Sequence, residues 1–288
     1  MKLGLIDVGG GLRGSYAIGI LEYCLENNIK FDCCIGVSAG SSNLINFLAG
    51  HKKRNYRNYF DYAFRKEYSG LGCLIKKKNF LNFDYIYREL INSDGIDPLN
   101  YEEFKNNPAD FFVVAEEGIS GKTKYFTKED IKKDDYRVLA ASCNIPVINR
   151  PVEIDGVIYF DGGFADPIPI QKAIDEGCDK IILILTRLRD VPRSPTRDNF
   201  FAKFLKIKYP KAAEKLSKRA ENYNKSLEYV KELEKEGKVL ILSPKDVYGL
   251  DTLTKDKEAM MKLYEDGKND AIKITEWLKI NEVELNKN

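Results

Sequence analysis

The 288 residues carry Lys+Arg 46 against Asp+Glu 44, a formal net charge of +2, and nothing in that balance marks a nucleic-acid binder. The length allows a substantial core without disulfide staples, and one domain over 1–288 with helical additions is expected. The six cysteines (Cys24, Cys33, Cys34, Cys73, Cys143, Cys178) form no CxxC pair and no small secreted framework. Reduced, buried thiols are expected, which points to the cytoplasm, and neither metal nor cofactor is expected.

From Lys2 the chain enters a short apolar run, Leu3 to Ile6, with no signal-peptide core, and no stretch approaches the span of a bilayer. The first forty residues read as strand (Lys2–Asp7), glycine loop (Gly9–Gly14), helix (Ser15–Asn27), strand (Phe31–Ile35), sharp turn (Gly36–Gly40) and a helix from Ser41. Such a βαβα opening favours a parallel sheet. Residues 51–110 read as a helical insert, a lid or side wall, rich in tyrosine and phenylalanine among lysine and arginine. Strands are expected at Phe111–Ala115 and Lys124–Phe126, and a hairpin pairs Val152–Ile154 with Val157–Phe160 across Asp155-Gly156. A helix over Ile170–Glu176 precedes the β-branched strand Lys180–Leu185, and Val239–Leu242 is the last strand. The core thus covers about 1–190 plus 239–242, and the C-terminal region, 195–236 and 254–282, is helical.

Gly36-Val37-Ser38-Ala39-Gly40 sits between a strand and a helix, the setting of a G-x-S-x-G nucleophile elbow. Small residues at Gly36 and Gly40 let the strand turn abruptly, so that the Ser38 hydroxyl projects from the sheet edge. Ser38 as a plain helix cap is the competing reading. A serine nucleophile needs a base, and the chain has one histidine, His51. A continuing helix would carry it roughly 15–20 Å away, so it reads as a surface or capping residue. A carboxylate at a strand end is the economical substitute. Asp161, followed by Gly162-Gly163, is the first choice, with Asp155 and Asp166 as rivals. A carboxylate of ordinary pKa, about 3.9, is a weak base for an alcohol, so the site should be partly desolvated.

The loop Gly9-Gly10-Gly11-Leu12-Arg13-Gly14 offers consecutive amides to a developing negative charge, with Gly10 and Gly11 as the assigned donors. Arg13 either pins the loop or reaches an anionic lipid head group. The same residues satisfy G-x-G-x-x-G, but Asp32 begins the second strand rather than ending it, and no nucleotide is expected.

These elements, in this order, resemble the patatin-like phospholipases: G-G-G-x-R-G at Gly9–Gly14, G-x-S-x-G at Gly36–Gly40, and D-G-[GA] at Asp161–Gly163. The likeness extends through Tyr16–Leu21, Ala140–Pro146 and Asp166–Pro169, and is concentrated in residues 3–50 and 138–186. The resemblance implies a three-layer α/β/α fold with a mostly parallel sheet, a Ser38–Asp161 dyad, an oxyanion hole from the glycine loop, and hydrolysis of lipid acyl esters. An acyltransferase using the same acyl-enzyme, or a noncatalytic lipid-binding protein, are the alternatives. Residues 51–78 carry nine Lys/Arg against Asp61 and Glu67, and residues 187–225 carry twelve against four acids. With their interleaved aromatics these stretches read either as peripheral contacts with an anionic bilayer or, with more weight, as solvated helix faces over core aromatics.

Overall fold

The structure, a computed structural model, describes residues 1–285; the last three residues of the span expected as one domain, 286–288, lie outside the described residues. Among the described residues eight strands form one mixed sheet: β1 (Leu3–Asp7), β2 (Cys33–Val37), β3 (Asp110–Glu117), β4 (Thr123–Thr127), β5 (Val152–Ile154), β6 (Val157–Asp161), β7 (Lys180–Ile184) and β8 (Val239–Leu242). Strands β3, β2, β1, β7 and β8 are parallel, while β4 and β6 run antiparallel to β3, and β5 to β6.

Helices α1 (Ser15–Glu26) and α2 (Ala39–Leu48) follow the first two strands. The insert holds only short pieces, α3 (Arg54–Arg57), α4 (Leu71–Lys77) and α5 (Tyr101–Asn106), with π-helical turns at Asn58–Tyr62 and Tyr85–Glu89. Then come α6 (Arg137–Ser142), α7 (Ile170–Asp175), α8 (Thr196–Leu205), α9 (Pro210–Lys235), α10 (Lys257–Asp270) and α11 (Ile272–Leu285). None of the described helices is long and apolar enough to cross a membrane.

Central strands buried on both faces read as unbroken apolar runs, because alternate side chains feed two cores. In β7, Ile182 and Ile184 join the core beneath α1, α2, α6 and α10, whereas Ile181 and Leu183 join the one beneath α7 and α9. Cys33 and Cys34 divide in the same way, as adjacent strand residues must. The result is the expected three-layer α/β/α arrangement. Helix α9 keeps its inner face with buried residues at Leu216, Ala220, Tyr223, Leu227 and Val230, the spacing of one helical stripe. Helix α10 packs closely on α1, because Gly19 lies against the Tyr264 carbonyl and Gly267 against that of Tyr16. The main boundary correction is β2, which begins at Cys33 rather than Phe31. Asp32 instead accepts the Leu3 amide at 2.7 Å and joins the foot of β1 to the start of β2.

Candidate active site

Strand β3 positions the centre of the site. Its residues Phe112–Glu116 pair with β4, so β2 and β6 must share the other edge. Parallel β2 runs along Asp110–Val114 and ends with Val37 opposite Val114. Antiparallel β6 comes from the other end, over Ala115–Glu117, and stops with Asp161 opposite Ala115. The carboxyl ends of the two strands therefore meet head to head on adjacent residues of a third.

At that meeting point Ser38 Oγ donates to Asp161 Oδ2 at 2.7 Å. Ser38 has φ 56° and ψ −130°, a strained conformation for a residue with a side chain, and α2 starts at the next residue. Such strain costs on the order of 1–3 kcal/mol and survives only where the surroundings impose it. Here a Cβ at Gly40 would overlap the Asp7 carbonyl and one at Gly36 would overlap Ser41, so both small residues are needed for the turn. The cleft between the strand ends is filled from α6: Ser142 Oγ donates to the Val114 carbonyl at 2.6 Å and accepts the Ser38 amide at 2.9 Å. Two residues on, the Asn144 carbonyl accepts the Asp161 amide at 2.8 Å.

Asp161 is 3 % exposed and also accepts the Gly163 amide at 2.8 Å. Burial pushes its carboxyl up, while Arg219, the Ser38 hydroxyl and the Gly163 amide act in the opposite direction. Desolvation of this kind makes a carboxylate a better base. The rivals lie elsewhere: Asp166 accepts from the Tyr125 hydroxyl, and Asp155 occupies the hairpin turn with φ 51°. His51 accepts the Asn100 amide through Nε2 at 2.6 Å, where α5 begins.

The glycine loop lies beside Ser38, with Gly9, Gly10 and Gly11 all at positive φ (67°, 120° and 60°). The Gly9 amide is taken by Asp7 Oδ1 at 2.9 Å, so of the three it is not free to donate to a ligand. Among the described residues the Gly10 and Gly11 amides have no acceptor, while the Leu12 amide is bound by the Thr252 carbonyl at 2.9 Å. Asp7, fully buried and pushed up to about 6 by that burial, also accepts from Asn43 Nδ2 at 2.9 Å. Arg13 pins the loop: Nε donates to the Thr186 carbonyl at 3.0 Å and Nη1 to Asp251 at 3.2 Å. Gly14 has no room for a Cβ beneath the Tyr59 hydroxyl.

Two cavities meet at Ser38. One is mostly apolar, running beneath the insert past Leu81, Phe83, Ile86, Ile91 and Leu139. The other opens past Gly10 and Asp161 toward α8 and α9, and Thr252 and Leu253 line both. Ser142, Asn144, Asp7 and the C-terminal wall escape sequence reading. The first two fall within the stretch Ala140–Pro146 that carries the resemblance, and they are the signal that was available.

A serine hydroxyl donating to a buried aspartate at the carboxyl ends of sheet strands, beside a glycine loop with open amides, defines a serine–carboxylate class of α/β protein. The chain belongs to the patatin-like phospholipase family, whose family model matches residues 8–174. Residues 209–279 match a second family, a domain of unknown function (DUF6363). Among curated proteins the chain is similar to the uncharacterized protein YjjU of Escherichia coli K12, 24% identical over 187 residues, covering 64% of this chain and 52% of YjjU. It is also 24% identical to the lysophospholipase NTE1 of Cryptococcus neoformans over 64% of this chain and 11% of that protein. The chain thus spans about half the length of the first relative and about a tenth of the second. Among solved structures, VipD from Legionella pneumophila aligns over 94% of this chain and 66% of its own, with TM-score 0.46 and 12% identity.

Proposed function

We propose that the protein hydrolyses acyl esters of lipids, with Ser38 as nucleophile and Asp161 as its base. Ser38 Oγ attacks the ester carbonyl carbon and its proton passes to Asp161 Oδ2. The Gly10 and Gly11 amides hold the resulting oxyanion, and the proton returns from Asp161 to the departing alkoxide. Asp161 then takes a proton from water, whose oxygen attacks the acyl-serine carbonyl; the C–Oγ bond breaks, the fatty acid leaves, and the proton passes from Asp161 to Ser38 Oγ, restoring the starting pair. The observation that carries this reading is the 2.7 Å hydrogen bond between the two side chains, in a site whose carboxylate is buried. The apolar cavity at Ser38 suits an acyl chain, and relatives named lysophospholipase agree with the reaction class.

Peripheral contact with an anionic bilayer belongs to the same proposal. Helix α4 exposes Leu71, Leu74 and Ile75, the last 80% exposed, next to Lys76, Lys77 and Lys78. Helix α8 exposes Phe200 and Phe204 among Lys203, Lys206 and Lys208, and Ile207 just beyond it is 91% exposed. Neighbours of α4 (Ser69, Leu81) line the apolar cavity and Phe201 of α8 lines the other, so each exposed apolar and basic patch adjoins residues of a cavity wall.

Hydrolysis of a short-chain ester and labelling by a fluorophosphonate test the dyad. Ser38→Ala is expected to abolish both and Asp161→Asn to abolish turnover, with thermal unfolding retained in each case. Substantial turnover by either variant defeats the assignment.

A further inference from the structure

The second cavity at Ser38 is lined by five arginines, Arg13, Arg187, Arg193, Arg197 and Arg219, against two carboxylates, Asp161 and Asp198. Their pairing is uneven. Arg13 and Arg197 share Asp251, whereas Arg193 forks onto Asp198 at 3.1 Å and Arg219 reaches that same carboxylate only at 3.7 Å. Among the described residues, Arg219 Nε is buried without a hydrogen-bond partner. Its guanidinium lies 4.7 Å from the Phe164 ring centroid and against Gly163, where a Cβ would meet Nη2 at 3.0 Å. Arg187, largely buried, has no carboxylate within ion-pairing distance among the described residues; its field is set by Arg193, Tyr223, Asp251 and Asp198.

Crowded, desolvated cations repel one another. Burial and Arg193 bring Arg219 down to about 10, and burial and Arg187 do the same to Arg13. Both remain charged at neutral pH, so the repulsion stays until an anion enters. The chemistry also favours a tetrahedral oxyanion: every basic group lining this cavity is arginine, whose planar fork donates in pairs to phosphate oxygens.

We propose that Arg187, Arg193 and Arg219 form an anion subsite for the phosphate of a phosphate-bearing acyl ester. The subsite rests on the reading of Ser38 and Asp161 as a hydrolytic dyad and adds the substrate class, acylglycerol phosphates in preference to neutral acylglycerols. The phosphate sits on the arginine side of Ser38 and the acyl chain enters the apolar cavity on the other. None of the three arginines lies within residues 8–174, and Arg219 belongs to the stretch matched by the family of unknown function.

The test uses the full chain, the wild type beside Arg187→Met, a change that breaks no ion pair. Each is given a 1-acylglycerol 3-phosphate and the monoacylglycerol of the same acyl chain. The wild type is expected to prefer the phosphorylated ester, and the ratio of the two kcat/KM values should fall about tenfold or more in Arg187→Met, through KM, as the loss of a charge-assisted contact implies. Arg187→Lys should recover part of it. An equal rate on both esters in the wild type, or an unchanged ratio in the variant, overturns the proposal. Inorganic phosphate that inhibits both reactions without any preference for the phosphorylated ester also overturns it, since the site then serves free phosphate. Calorimetric binding of glycerol 3-phosphate by Ser38→Ala, with and without Arg187→Met, separates the two readings. Binding that depends on Arg187, together with a wild type that hydrolyses no ester, sinks the dyad and keeps the subsite; ester hydrolysis by the wild type without such binding does the reverse.

Discussion

Ser142 joins three parts of the site through one hydroxyl, donating to the Val114 carbonyl of β3, opposite the end of β2, and accepting the Ser38 amide. Ser142→Ala leaves both groups unpartnered in a buried place, at a cost of about 1–3 kcal/mol. It is expected to lower the denaturant midpoint and to reduce kcat for an ester by about tenfold or more, because the strained Ser38 backbone loses a restraint. Both are read from one purified variant. Glu116 is a different kind of residue: 0% exposed, with neither carboxyl oxygen hydrogen-bonded among the described residues. Burial, with Asp161 adding to it, pushes its carboxyl up to about 9, so it is neutral at pH 7. The unfolded chain releases that proton near 4.5 and the folded one near 9. Glu116 therefore favours folding fully only below the lower value and loses that contribution as pH rises through the interval. Glu116→Gln should gain stability over the wild type progressively across that window and level off above it, in denaturant titrations at successive pH values. A constant difference would contradict the assignment of the proton.

Elements make contacts that single motifs do not announce. Helices α1 and α10 approach closely enough for Gly267 to lie against the Tyr16 carbonyl, and the Tyr16 hydroxyl donates to Asp270 at 2.7 Å. Gly267→Leu forces them apart and should destabilise the protein by about 1–3 kcal/mol, the usual cost of overpacking, visible as a lower thermal midpoint. Much of the element order was legible beforehand, because β-branched runs bounded by glycine and Asp-Gly turns encode strands locally. Strand β8 and the hairpin β5–β6 fall at the expected residues, with β6 reaching one further to Asp161. The insert was legible only as helical and loop-like, since its short turns are held by tertiary partners. Arg54, for example, is buried and donates to the Asp97 carbonyl through Nε at 3.0 Å and Nη2 at 2.8 Å. The glycine loop and the turn at Gly36–Gly40 were legible as local structure because their positive φ angles and close backbone approach require residues without side chains. The carbonyl and hydroxyl contacts of Ser142 and Asn144 were not, for these residues act through what the fold brings near them.

At the scale of the molecule, the C-terminal region closes the site. Thr252 and Leu253 line both cavities, and Arg219 and Tyr223 line one. Charge counts along residues 187–225 registered a basic stretch but not its division. Arg187, Arg193 and Arg219 line a cavity, while Lys203, Lys206 and Lys208 are exposed. The exposed lysines, with Phe200, Phe204, Leu71 and Ile75, predict co-sedimentation with vesicles containing anionic lipid that weakens as salt is raised. Replacing Leu71 and Phe204 by serine should reduce it at every salt concentration. Binding indifferent to lipid charge and to salt would remove the bilayer contact.

The head-to-head arrival of β2 and β6 on β3 has a consequence for variation. Ser38 and Asp161 are 123 residues apart in the chain, yet their separation is gauged by one peptide step of a third strand. Insertions, deletions or exchanged loops outside β3 and the Ser142–Asn144 segment can reshape the cavity walls while the gap between hydroxyl and carboxylate stays fixed. On the proposed reading of this pair as the dyad, selectivity and reactivity are mechanically uncoupled, and the same pair can be carried unchanged into differently shaped grooves.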